Sequence, residues 1–212
     1  MTLYSYWRSS AAYRVRIALA LKNLPFQLEP VHLVKDGGEQ HATRYAALNP
    51  AELVPTLVDG DVVLNQSLAI LEYLEETHPE PRLLPQEPAA RAQVRGLCQD
   101  IACDIHPIDN LRVLQYLSAE LGVSDEQKGA WYRHWVEVGF AAIEKRLANT
   151  AGQYCFGDEL TLADCCLVPQ VYNARRFNVD MQAYPLLSAI SARLEAIPAF
   201  FTAAPENQPD AT

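Results

Sequence analysis

The chain has 212 residues, half of them hydrophobic and 20% charged, a composition typical of a globular protein with a packed core. The net charge of −9 argues against nucleic acid as the main partner, because phosphate contacts require a basic surface. No apolar run reaches the roughly 20 residues that span a membrane, and we expect no signal peptide, because no basic segment precedes an apolar run.

The first ~80 residues alternate between β-prone and helix-periodic segments, in the order β-α-β-α-β-β-α. The Asp59-Gly60 pair between two apolar runs predicts a β-hairpin. The predicted strands are at 2–6, at 26–33 and on either side of Asp59-Gly60, and the predicted helices are at 10–22, 39–48 and 67–78.

Four prolines within residues 78–88 exclude a long helix or a central strand and predict an interdomain linker. From residue 89 onward the apolar residues recur at helical spacing, and no β-rich stretch is evident. The sequence therefore predicts a small α/β domain at 1–82 and an all-helical domain at 88–212.

The five cysteines are odd in number and include no CxxC pair, which is typical of reduced thiols in a cytoplasmic protein. No paired Cys/His spacing or carboxylate cluster indicates a metal site, and no glycine-rich phosphate loop indicates a nucleotide. In TLADCC, Thr161 and Asp164 have the spacing of a capping box that starts a helix. We expect the neighbouring Cys165 and Cys166 to be buried by packing.

Ser9 and Ser10 open the first predicted helix and are flanked by Arg8, Arg14 and Arg16. A serine at this place can simply cap the helix, which stabilises it by roughly 1 kcal/mol. The free amide groups and partial positive charge of a helix start also favour an anion such as a thiolate. The domain has no cysteine, so such a thiol would have to arrive with a ligand.

Two further segments of the first domain suit an anionic, extended ligand. Ser67 is a natural helix cap, and the helix start at Gln66-Ser67 could hold a carboxylate. The Val54-Pro55 pair opens a strand, and a cis proline there would leave the Val54 backbone free to pair with a peptide. In the second domain we expect His106, Asn110 and Arg112 near one helical face, and Arg175-Arg176 forms a basic pair.

Several motifs in this order resemble the glutathione transferases, specifically the zeta class. They are SSAAYRVRIALALK (9–22), LNPAELVPTL (48–57), QSLAILEYLEE (66–76), PRLLPQ (81–86) and GDELTLADCCLVPQV (157–171). The resemblance covers essentially the whole chain. It implies a thioredoxin-like N-terminal domain, an all-α C-terminal domain, a homodimer and glutathione as the cofactor.

The resemblance also implies roles for individual residues. Ser9 and Ser10 would face the glutathione sulfur, and Arg14 would complete the catalytic group. The cofactor would be bound by Gln40, Val54, Gln66, Ser67, His106, Asn110, Leu111 and Arg112. Arg8 and Arg176 would bind the carboxylates of a dicarboxylate substrate, because a guanidinium binds a carboxylate through two parallel hydrogen bonds.

The implied reaction is the isomerisation of maleylacetoacetate to fumarylacetoacetate in the breakdown of tyrosine and phenylalanine. Maleylpyruvate as substrate, or glutathione transfer to small α-halo acids, remains an alternative. A non-catalytic binding module should lack one of the Ser, Gln-Ser or Arg groups, and this chain has them all. The chain departs from the class motif at Ala11, where Cys is usual, at Tyr13, where Trp is usual, and at His106, where Gln is frequent.

Overall fold

Short β-prone segments in the first third of the chain form one mixed sheet with the strand order β2-β1-β3-β4. In the computed structural model, which describes residues 1–212, the strands are β1 (Thr2–Ser5), β2 (Gln27–Pro30), β3 (Thr56–Asp59) and β4 (Val62–Asn65). β1 pairs parallel with β2 and antiparallel with β3. β3 and β4 form the predicted hairpin, in which Gly60 has a φ of +58° that glycine adopts without strain.

Three helices accompany the sheet within residues 1–82: α1 (Ser10–Leu21), α2 (Thr43–Leu48) and α3 (Ser67–Thr77). The predicted order β-α-β-α-β-β-α is therefore confirmed, and α1 packs against α3. The predicted helix at 39–48 is interrupted, because Ala42 has an extended backbone that separates a 3-10 turn at Glu39–His41 from α2.

The second unit is helical throughout, as predicted. Its helices are α4 (Pro88–Gln99), which continues into a π-helical turn (Asp100–Ile105), α5 (Leu111–Ala119), α6 (Asp125–Thr150), α7 (Leu162–Arg176) and α8 (Pro185–Glu195). The predicted capping box starts α7, where the buried Asp164 carboxylate accepts hydrogen bonds from the Thr161 amide and hydroxyl. Cys165 and Cys166 are fully buried in this helix, also as predicted.

The last residues of the chain group with the first unit. The two units are Met1–Arg82 with Ala196–Thr212, and Leu83–Glu195, which differs from the predicted second domain at 88–212. The reason is that α9 (Pro198–Ala203) packs on α1. The buried Arg16 donates to the carbonyl of Ala203 at 3.0 Å, and Tyr13 donates its hydroxyl to the carbonyl of Phe200 at 3.3 Å.

All five cysteines are free, and four of them are buried. No helix combines the length and apolar composition that crossing a membrane requires.

Candidate functional site

The start of α1 presents two serines in different environments. Ser9 is the N-cap residue, and its hydroxyl oxygen accepts a hydrogen bond from the amide of Ala12 at 3.2 Å. It is partly exposed, whereas Ser10, the first helical residue, is buried. A hydroxyl that accepts from the helix still has its own proton to donate. Ser9 can therefore cap α1 and stabilise an external anion together.

The three arginines around this helix start differ in exposure and in their hydrogen-bond partners. Arg8 is partly exposed, donates to the Tyr6 hydroxyl at 3.2 Å and lies 4.7 Å from the centroid of the Trp7 ring. Arg14 is buried, and its Nη1 donates to the Ser67 hydroxyl at 3.1 Å, which ties the start of α3 to α1.

Arg16 is also buried but faces the protein's own backbone. It donates to the carbonyls of Trp7 and Ala203, each at 3.0 Å, and to the Ser5 hydroxyl at the same distance. This guanidinium stabilises the fold around α1 and α9.

The start of α3 differs from the sequence prediction. Ser67 is the first helical residue and the cap position belongs to Gln66, whose φ of +67° no helical pattern could indicate. The Gln66 side chain is exposed and makes no capping bond. No side chain therefore caps the first-turn amides of α3, which is the arrangement in which a helix start binds a carboxylate.

The peptide bond between Val54 and Pro55 is cis. The loop before it is fixed through the carbonyl of Leu53, which accepts from the Tyr45 hydroxyl at 2.6 Å and from the Asn49 side chain at 2.8 Å. The amide and carbonyl of Val54 itself form no hydrogen bond within the protein. This backbone segment can therefore pair with an extended ligand.

Gln40 is buried on the loop before α2. Its Nε2 donates to the carbonyl of Leu33 at 3.3 Å and lies 3.0 Å from His41 Nε2, while its Oε1 has no hydrogen-bond donor in the protein. Gly38, with a φ of +106°, lies against this amide, and a Cβ there would clash with Gln40 Nε2. The loop is thus built closely around a side chain that retains an unused acceptor.

In the second unit, the predicted helical face of His106, Asn110 and Arg112 is wrong, because the chain leaves the helix between Ile105 and Leu111. Asn110 instead caps α5, accepting from the amide of Arg112 at 3.2 Å, and its Nδ2 lies 3.3 Å from His106 Nε2. Leu111 begins α5, and the Arg112 side chain is exposed. His106 and Asn110 nevertheless lie in contact across this break.

The two arginines at the end of α7 have different partners. Arg175 forms an ion pair with Glu195 at 2.7 Å. Arg176 has no acidic partner; it donates to the Asn173 side chain at 3.3 Å, and its guanidinium lies 5.4 Å from the centroid of the Phe177 ring. Of the two arginines, only Arg176 is exposed and has no carboxylate partner within the protein, so its guanidinium is available to an external anion.

Sequence reasoning missed Asp109, which directly precedes the cap of α5. Only 6% of its surface is exposed, and burial raises the pKa of its carboxyl to about 8. The only sequence signal is an acid inside the otherwise neutral segment HPIDN, and nothing in that pattern indicates burial.

Family models match both units. The glutathione S-transferase N-terminal domain matches residues 3–82, and the glutathione S-transferase C-terminal domain matches residues 136–193.

Individual relatives match along the whole chain. A probable maleylacetoacetate isomerase of Vibrio cholerae is 62% identical over 211 residues, covering 100% of this chain and 98% of that protein. The holo structure of a maleylpyruvate isomerase, a bacterial zeta-class enzyme, superposes with a TM-score of 0.97 at 48% identity over all of both chains. The maleylacetoacetate isomerase of Methylobacterium extorquens AM1, solved with bound malonate and glutathione, gives a TM-score of 0.95 at 42% identity, again over all of both chains.

Proposed function

Because this chain belongs to the glutathione transferase family, and within it to the zeta class, we propose that it is a glutathione-dependent isomerase that converts maleylacetoacetate to fumarylacetoacetate. The observation that carries the proposal is the 62% identity, over its full length, to a protein named probable maleylacetoacetate isomerase. The malonate and glutathione bound to a relative with 42% identity support a dicarboxylate substrate and this cofactor.

The groups of the first unit fit glutathione, an anionic tripeptide. The uncapped amides at the start of α3, with Gln66 and Ser67, would bind its γ-glutamyl carboxylate. The unpaired backbone of Val54 would bind its cysteinyl residue, and Gln40 would bind near its glycine end.

We assign His106, Asn110, Leu111 and Arg112 of the second unit to the same end of the tripeptide. This assignment rests on the family motif and on the contact between His106 and Asn110. When bound, glutathione supplies a thiolate that adds reversibly to the cis double bond of the substrate, which thereby becomes a single bond that can rotate. Elimination of the same thiolate after rotation gives the trans isomer.

Two serines and two arginines then have proposed roles in this reaction. Ser9 donates a hydrogen bond from its hydroxyl to the thiolate and so favours the ionised form of the thiol, with Ser10 beside it at the helix start. Arg8 and Arg176 bind the substrate carboxylates and offset the repulsion between an anionic cofactor and a dianionic substrate.

Arg14 acts through Ser67. Its guanidinium is buried and bonded to the Ser67 hydroxyl at 3.1 Å, so it fixes the starts of α1 and α3 relative to each other. We assign it a positioning role within the catalytic group.

Maleylpyruvate is the second candidate substrate, because a maleylpyruvate isomerase superposes on the chain with a TM-score of 0.97. It has the same two carboxylates and the same cis enone. We further propose that the enzyme is a cytoplasmic homodimer in tyrosine and phenylalanine breakdown, on the basis of the family resemblance.

The test follows the loss of maleylacetoacetate absorbance with purified protein, with and without glutathione, and with fumarylacetoacetate hydrolase present to remove the product. We expect turnover that requires both protein and glutathione and consumes no thiol. Maleylpyruvate is assayed in parallel, and a higher kcat/KM for it would reassign the substrate. Net consumption of glutathione with α-halo acids, without isomerisation, would reject the isomerase assignment.

A further inference from the structure

The loop between the π-helical turn and α5 contains a carboxyl group that the proposed reaction does not use. Asp109 is 6% exposed, and neither of its carboxylate oxygens has a hydrogen-bond donor. A buried carboxylate without donors or a cation is unfavourable when ionised, and such a group instead keeps its proton. The geometry therefore favours the neutral acid in the folded protein.

No hydrogen bond within the protein stabilises the charged form of Asp109. Tyr132 of α6 is buried and stacked on Phe177, with ring centroids 3.5 Å apart. Burial raises the pKa of Tyr132 most, the charge of Asp109 raises it further, and Arg176 of α7 lowers it. Burial likewise raises the pKa of Asp109, and no hydrogen bond offsets this effect.

The loop itself is held at points directly beside Asp109. The carbonyl of Ile108 accepts from the indole nitrogen of Trp131 at 3.2 Å, which fixes the loop to α6. Asn110, on the other side, caps α5 and contacts His106, the other titratable group of this loop. A movement of Asp109 toward water would displace both neighbours.

We propose that Asp109 is a positioning residue whose neutral form allows the 107–110 loop to stay buried against α6, so that its deprotonation displaces His106 and Asn110 and weakens glutathione binding. This inference rests on the proposed function, which assigns His106 and Asn110 to glutathione. The affinity for glutathione should then fall at alkaline pH because a group of the protein ionises, independently of the ionisation of the glutathione thiol.

The test measures binding of S-methylglutathione by calorimetry between about pH 6 and pH 9, because this ligand lacks a titrating thiol. The proteins are the wild type, Asp109→Asn, which has the same shape and cannot ionise, and Asp104→Asn, which removes an exposed carboxyl five residues earlier. We expect the wild type to lose roughly tenfold more affinity by pH 9 than Asp109→Asn, since nine-tenths of an acid is ionised one unit above its pKa. Asp104→Asn should follow the wild type.

The same pH dependence in the wild type and Asp109→Asn would overturn the inference and leave the isomerase assignment intact. A protein that binds no S-methylglutathione at any pH would reject the glutathione-dependent function itself. An infrared measurement of the ligand-free protein at neutral pH separates the two parts. We expect a protonated carboxyl band that Asp109→Asn lacks, and its absence in the wild type would show that the acid is ionised and the inference wrong.

Discussion

At the scale of single residues, the two serines at the start of α1 are assigned unequal roles by their surroundings. Ser9 is partly exposed and its hydroxyl already accepts from Ala12, so its proton can be donated outward. Ser10 is buried. We expect Ser9→Ala to lower kcat/KM by about 100-fold, the effect of losing one donor to a developing anion. We expect it to lower the free energy of unfolding by only about 1 kcal/mol.

Ultraviolet absorption of the thiolate, titrated with pH in the glutathione complex, checks this cause directly. The pKa of the bound thiol should rise in Ser9→Ala and much less in Ser10→Ala. Ser9→Thr, which keeps the hydroxyl and the cap, should restore most of the activity. Equal losses in both alanine variants would contradict the different roles.

The adjacent arginines at the end of α7 form a matched pair for testing substrate binding. Arg176 has no carboxylate partner, whereas Arg175 is bound to Glu195. We expect Arg176→Ala to raise KM for the dicarboxylate by roughly 10- to 100-fold, since a hydrogen bond to a charged group contributes about 1.5–3 kcal/mol. Arg175→Ala should leave KM unchanged. Steady-state kinetics at saturating glutathione measure KM and kcat for both variants. A fall in kcat with an unchanged KM would show that Arg176 does not bind the substrate.

At the scale of secondary-structure elements, the sequence predicted what depends on neighbouring residues and missed what depends on backbone detail. The Asp59-Gly60 turn, the Ser9 cap and the box at Thr161 are local, and all three form as predicted. The cap position at Gln66 was missed because it requires a left-handed backbone that glutamine does not signal. The break before Asn110 follows a π-helical turn at Asp100–Ile105, which the sequence prediction of a regular helix did not include.

The buried side chain of Arg16 contributes hydrogen bonds to the packing of α9 on α1. Its guanidinium serves the carbonyls of Trp7 and Ala203, and its removal leaves these acceptors unpaired in the interior. We expect Arg16→Met to lower the free energy of unfolding by about 3 kcal/mol or more, because each orphaned buried acceptor costs about 1–3 kcal/mol. Arg146→Met, which removes a half-exposed pair with Asp100, should cost less than about 1 kcal/mol.

Urea unfolding compares the two variants, and limited proteolysis reports on α9. In Arg16→Met the chain should be cleaved near residues 196–212 earlier than in the wild type. Unchanged stability and unchanged cleavage would mean that the hydrogen bonds of Arg16 are not needed to hold α9 in place.

At the scale of the whole molecule, composition predicted two units but not where the chain ends within them. The prolines of residues 78–88 lie at the observed boundary near Arg82. The grouping of Ala196–Thr212 with the first unit depends on contacts between residues far apart in the sequence. Tyr13 and Phe200, for example, are 187 positions apart. No local pattern encodes such a pair. Likewise, the net charge of −9 does not indicate that one carboxyl group, that of Asp109, is buried and neutral.

That acid gives the stability of the whole protein a definite pH dependence. Burial raises the pKa of Asp109 to about 8 in the folded protein, against about 4 in an unfolded chain. Between these values the folded state binds one proton more than the unfolded state, so this group makes stability fall as pH rises, by up to about 1.4 kcal/mol per unit. Its contribution is constant below pH 4 and above pH 8, the ends of that window.

Asp109→Asn removes this slope while every other titrating group stays in place. We therefore expect the variant to match the wild type near pH 4 and to exceed it progressively at higher pH, by at most roughly 4 kcal/mol at pH 7. Thermal unfolding of both proteins and of Asp104→Asn across this range measures the difference, at about 2–4 °C in Tm per kcal/mol for a chain of this size. A Tm difference that is the same at both ends of the range would mean that Asp109 does not titrate between them, because only a group with different folded and unfolded pKa values can change stability with pH.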